Sequence, residues 1–83
     1  MPFEMYQDVI LLVDDLTQGL IAGDVGVVVD RHSAPGREDG YSVEFFDMTG
    51  RTVVVVTVPA CHLRGPTSAD RPTARKESRT VSA

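Results

Sequence analysis

Tryptophan is missing from this chain, and cysteine occurs once, at Cys61. A single cysteine excludes an intrachain disulfide and a thiolate cage around a metal. Aromatic side chains are few, two tyrosines and three phenylalanines, which leaves little surface on which nucleic-acid bases could stack. A long hydrophobic run is also lacking. The apolar stretch from Val9 to Val13 falls far short of the ~20 residues that cross a bilayer. The opening MPFEMYQDVILL carries acids where a secretory signal would carry lysine or arginine. These absences predict a cytoplasmic protein without a membrane segment.

Positive charge is scarce over most of the length. Up to Leu63 there are ten acids against three bases, Arg31, Arg37 and Arg51, a net of −7. From Arg64 onward five bases face two acids, a net of +3, so the whole chain carries −4. That last stretch, RGPTSADRPTARKESRTVSA, has Val81 as its only large aliphatic residue. It cannot bury enough apolar surface to offset the entropy of ordering it. The chain therefore divides into a folded unit over residues 1–64 and a basic, disordered tail over 65–83. An acidic globule has the wrong polarity for gripping phosphates and the right one for a basic protein partner. The plainer reading is that acidic surface keeps a small protein in solution.

The pattern of the folded unit is that of strands. DVILLV is short, branched and stopped by Asp14-Asp15, which reads as a buried strand. LTQGLIAGD then folds back over the structure on Leu16, Leu20 and Ile21, and Gly23-Asp24 turns into the second strand. That strand runs from Val25 to Arg31. Its Gly26, set among valines, marks a bulge, a bend or a close backbone crossing. HSAPGREDG (32–40) is a hairpin loop. In the third strand Tyr41, Val43 and Phe45 face the core, while Ser42, Glu44 and Phe46 face outward. Asp47-Met48-Thr49-Gly50 is a tight turn. The fourth strand, Arg51 to Val58, is apolar on both faces and is stopped by Pro59. Ala60 to Leu63 forms one helical turn before a brief last strand. Four strands, a turn of helix and a fifth strand predict an all-β, five-stranded SH3-like barrel.

No catalytic constellation emerges, and the sequence predicts no enzyme, no cofactor and no metal site. Cys61 and His62 are adjacent, so their side chains diverge on any regular backbone, and Cys61 is expected to be buried and inert. His32 and His62 lack ligand spacing. Asp14 and Asp15 read as acceptors for backbone N–H groups of a turn rather than as metal ligands. Arg51 is expected to pair with Glu44 or Asp47 across the hairpin, its alternative role being contact with a partner.

Two features point to binding. The first is an outward stripe of Phe46, Val53 and Val55, with Thr57 as a candidate extension, which is either an interface or covered by Pro2, Phe3, Met5 and Tyr6. The second is the acidic loop of Asp14, Asp15 and Asp24, a docking surface for a basic partner. In the tail, Arg71, Arg75, Lys76 and Arg79 are candidates for contact with phosphates or an acidic surface.

One further pattern runs through the chain: Asp15-Leu16, Gly19-Leu20, Gly23-Asp24-Val25-Gly26-Val27-Val28-Val29, Val43-Glu44-Phe45 and Gly50-Arg51-Thr52. From Asp8 to Arg64 this combination resembles the bacterial family known as domain of unknown function 4926. The resemblance implies an SH3-like barrel and a stand-alone protein without established chemistry. It also implies an antitoxin- or immunity-like role toward the product of a neighbouring gene. The expected function is thus a non-enzymatic protein-binding module, an inhibitor or adaptor of a basic protein, with homo-oligomerisation as a variant. The alternative is a nucleic-acid-binding barrel of the translation-factor type aided by the tail.

Overall fold

The computed structural model of the protein describes residues 3–74. Five antiparallel strands are present: β1 (Asp8–Leu11), β2 (Val25–His32), β3 (Gly40–Phe46), β4 (Thr52–Pro59) and β5 (Leu63–Arg64). They form one sheet in the order β4-β3-β2-β1-β5. Single 3-10 turns occur at Leu16–Gln18 and at Ala60–His62, the second leading straight into β5. This strand order, with the turn before the last strand, is the expected SH3-like architecture.

Pleating decides which residues form the core. Val9 and Leu11 of β1, Val28 of β2, Tyr41, Val43 and Phe45 of β3, and Val58 of β4 turn inward, and Leu20 and Leu63 join them. Val54 and Val56 pack against this cluster from the same face of β4. No buried polar side chain among the described residues lacks a partner. The Tyr41 hydroxyl accepts the Phe3 N–H at 2.9 Å, and the Phe3 ring meets the Tyr41 ring edge-on at 5.3 Å. Phe3 thereby closes one end of the core.

Gly26 is the close crossing that the sequence suggested. A Cβ at this position would lie 2.5 Å from Val43 Cγ1 and 2.9 Å from the Glu44 carbonyl oxygen. The bulge itself falls elsewhere, between Val28 and Asp30, where the register of β2 on β3 shifts. A second irregularity lies between Phe45 and Phe46, which pair with Val54 and Thr52 and leave Val53 as the extra residue. Both bulges add the bend that a small curled sheet needs.

The first strand is shorter than the sequence implied. Leu12 and Val13 are partly exposed rather than buried. The cause is their neighbour: β5 has two residues, so Leu11 pairs with Leu63 and Leu12 is left with one bond to the His62 carbonyl. The loop that follows does fold back, since Asp15 and Leu20 form an isolated bridge and Leu20 is buried. Leu16, expected to anchor this loop, is exposed. Closing the loop at Asp15 and Leu20 makes the residues between them an outward excursion.

Past β5, Arg64 holds Asp70 through two hydrogen bonds of 3.0 and 2.7 Å. Asp70 also accepts the Thr67 N–H and hydroxyl. The residues immediately after the barrel are therefore tied to it by an ion pair and a turn.

Candidate functional site

The outer face of the β3–β4 hairpin gathers the predicted stripe. Glu44 pairs with Val55, and alternation places Phe46 on the same side as Glu44. Phe46 is 43% exposed, Val53 55% and Val55 52%, so the stripe is open to solvent. The N-terminal segment does not cover it. Phe3 packs on Tyr41, while Met5 and Tyr6 are themselves exposed; Pro2 lies outside the described residues.

The patch is larger than the sequence reading had it. One register step beyond the Gly26–Phe45 pair brings Val25 beside Phe46, and Val25 is 51% exposed. Met48, at the tip of the hairpin turn, is almost fully exposed. Val25 was legible from the alternation about the buried Gly26 and Val28. Met48 carried only the weaker signal of an apolar residue inside a tight turn.

Asp47 builds that turn. Its Oδ1 accepts the Thr49 N–H at 2.8 Å, the Thr49 hydroxyl at 2.6 Å and the Arg51 N–H at 3.0 Å. These donors, the Thr49 hydroxyl first, hold its carboxyl below the ordinary carboxylate value. Gly50 supplies the left-handed residue, at φ 87°. Arg51 does not make the expected cross-strand pair. The ion pair found among the described residues is Arg64–Asp70, and it is Thr52 whose hydroxyl donates to Glu44. The register explains this: Thr52 pairs with Phe46 and so shares the face of Glu44, whereas Arg51 sits at the end of the turn. Arg51 is exposed.

The three loop aspartates serve the loop first. Asp14 Oδ1 accepts the Ala22 N–H at 2.8 Å, Asp24 Oδ2 accepts the Ile21 N–H at 3.0 Å, and Asp15 Oδ1 accepts the Thr17 hydroxyl at 2.9 Å. Asp14 and Asp15 nevertheless line a groove of about 240 Å³, shared with Leu11, Leu20, Val56 and Val58. Asp24 is not among its lining residues, so the three do not form one acidic face.

Cys61 is exposed, contrary to the expected burial. It lies in the 3-10 turn, where its N–H and thiol both point to Glu38, at 2.6 and 3.4 Å from the carboxylate oxygens. The thiol's hydrogen bond to Glu38 raises its pKa, which disfavours the thiolate. His32 Nε2 contacts the Ser42 hydroxyl at 2.8 Å, far from Cys61 in the sequence and tied to a different side chain. Among the described residues no three His, Cys, Asp or Glu side chains converge as metal ligands would. No helix among them is long and apolar enough to cross a membrane.

Of the tail candidates, Arg71 turns its guanidinium onto the carbonyls of Ser68 and Asp70 at 2.8 and 2.9 Å. Arg75, Lys76 and Arg79 lie outside the described residues.

No curated protein and no solved structure matches this chain. The family described as domain of unknown function DUF4926 matches residues 5–65, a span that takes in all five strands, the hairpin patch and the groove. The chain belongs to the DUF4926 family.

Proposed function

We propose that this protein is a binding module whose outer β3–β4 face docks another protein. The observation that carries the reading is the exposure of Val25, Phe46, Met48, Val53 and Val55 around Glu44 on one face of an otherwise acidic body. Apolar side chains kept in water on one face cost solubility, and such patches are typical of recognition surfaces. No charged side chain occurs from Thr52 to Pro59, so nothing on β4 repels an apolar partner. The net charge of −7 up to Leu63 suits a basic partner, whose approach it would steer. An inhibitor or immunity-like adaptor for the product of a neighbouring gene fits that chemistry.

The nucleic-acid alternative has less to rest on. Arg64 is paired with Asp70, and Arg71 donates through Nη1 to the carbonyls of Ser68 and Asp70 while keeping its charge; the other tail bases lie outside the described residues.

The test is Phe46→Glu in the full chain, with the fold checked by amide NMR dispersion. Sedimentation and co-purification with the adjacent gene product are then compared with the wild type. Loss of association with the fold intact supports the reading. Unchanged self-association and unchanged partner capture refute it.

A further inference from the structure

The ladder between β3 and β4 fixes which backbone groups of β4 are free. The Ala60 N–H donates to the Asp39 carbonyl at 2.9 Å. Hydrogen-bonded pairs alternate along an antiparallel ladder, so Tyr41–Val58 and Val43–Val56 are hydrogen-bonded pairs in turn. The N–H and C=O groups of Val55 and Thr57 therefore point away from β3. β4 is the end strand of the sheet, and no backbone hydrogen bond from any other described residue reaches this edge. Pro59, next in the alternation, has no N–H to offer. Edge strands in soluble proteins are commonly guarded by lysine or another charge. This one has none between Thr52 and Pro59.

The groove of about 240 Å³ lies beside this edge, floored by Leu11, Leu20, Val56 and Val58. Asp14 and Asp15 stand at its rim. Each spends Oδ1 on its own loop, which leaves Oδ2 for an incoming cation.

We propose that this seam receives a short, extended, cationic segment of a partner protein, added as a strand to β4. Its backbone pairs with Val55 and Thr57. One apolar side chain enters the groove, and a lysine or arginine meets Asp14 and Asp15. This mode gives affinity through main-chain bonds and specificity through alternate side chains. The proposal rests on the protein-binding reading above and specifies the form of the partner. Charge sets the sign of the occupant: the acidic body of a second copy is repelled by the acidic rim, whereas a basic segment is attracted.

The full chain, labelled with ¹⁵N, is titrated with the blocked peptide acetyl-Arg-Thr-Val-Thr-Val-amide and with its counterpart carrying Glu for Arg. Expected are saturable shifts centred on the Val55 and Thr57 amides with the arginine peptide, slowed exchange of both amides, and about tenfold weaker binding of the glutamate peptide. Asp15→Asn, which keeps an oxygen for Thr17, should weaken the arginine peptide several-fold and leave the glutamate peptide unchanged or tighter. Equal binding of both peptides, or no saturable shift, overturns the proposal. So do shifts confined to Phe46, Met48 and Val53, although that result leaves the outer-face reading standing. Slow exchange of Val55 and Thr57 in the free protein also overturns it. If that protection is independent of concentration, the chain's own tail is the occupant; if it grows with concentration, a second copy is.

Discussion

The two faces of the β3–β4 hairpin are built from the same kinds of residue and meet opposite fates. On the inner face Tyr41, Val43, Phe45 and Val58 are almost wholly removed from water, with Val54 and Val56 packed against them. On the outer face Phe46, Val53 and Val55 stand about half exposed. Composition cannot tell a core valine from a surface valine in the run Val53-Val54-Val55-Val56. The pleat does, because successive side chains point to opposite sides. The inner set holds the fold. The outer set stays in water, where the proposed docking face lies. Under the proposed reading, one short hairpin would serve as both scaffold and recognition surface.

The sharpest way to break the contrast is to truncate one aromatic on each face of β3. Tyr41→Ala removes a fully buried ring and should cost about 3–5 kcal/mol, the usual figure for a large core aromatic. A domain of this size has little more stability than that, so the variant should be largely unfolded in buffer. Phe46→Ala should cost less than about 1 kcal/mol, as surface changes usually do, while weakening partner capture. Urea unfolding measures both. If Phe46→Ala destabilises as much as Tyr41→Ala, the outer face belongs to the fold and not to recognition.

Gly26→Ala sharpens the contrast by adding rather than removing volume. The new methyl would press on Val43 Cγ1 and on the Glu44 carbonyl. The side chain can yield, but the backbone oxygen is held by its ladder. Overpacking of this kind costs about 1–3 kcal/mol. An unchanged urea midpoint for the Gly26→Ala variant would show that β2 and β3 can separate without penalty.

How much of this was readable beforehand follows from the same physics. Alternation in Tyr41 to Phe46 identifies inward and outward residues because β3 has a strand at each edge, the core on one face and solvent on the other, and the period is 2. Gly26 was readable because glycine amid valines has no propensity reason to be there. Leu12, Val13 and Leu16 were misplaced because their burial depends on non-local partners: a two-residue β5 and a bridge between Asp15 and Leu20. Arg51 was misassigned because a bulge at Val53 shifts the register by one, which places Thr52 rather than Arg51 beside Glu44. The groove at the seam could not be foreseen, since it joins Leu11 and Leu20 to Val56 and Val58 across the curl of the sheet. Family likeness implied the architecture, and its pattern includes Asp15, Leu20 and Val25 without assigning them a role.

A smaller effect is expected where Phe3 closes one end of the core. Tyr41→Phe keeps the ring and removes the hydroxyl that accepts the Phe3 N–H. The cost should be about 1 kcal/mol, that of one hydrogen bond with a partly buried donor left unpaired. Amide exchange of Phe3 should accelerate while Val55 and Thr57 stay as they were. Faster exchange spreading along β4 would mean that the N-terminal segment supports the hairpin as well as capping Tyr41.

The smallest effect concerns acid. Hydrogen bonds from Thr49, and from the Arg51 backbone, hold the Asp47 carboxyl below its ordinary value of 3.8. The Arg64 guanidinium, with the Thr67 N–H, does the same more strongly to Asp70. A carboxyl whose native value is depressed binds its proton less readily when folded than when unfolded. Its contribution is therefore complete above the ordinary value and fades as pH falls through that value toward the native one. Both groups are solvent-accessible, so screening limits the gain. Thermal melts between pH 6 and pH 2 should show Asp47→Asn and Asp70→Asn each losing less melting temperature on acidification than the wild type. The order matters for the contrast between the two faces. Asp47 closes the hairpin that carries the exposed patch, so acid should loosen Met48 and Thr49 before it reaches the core around Tyr41. If Asp47→Asn acidifies in parallel with the wild type, the turn is held by Gly50 and the ladder alone.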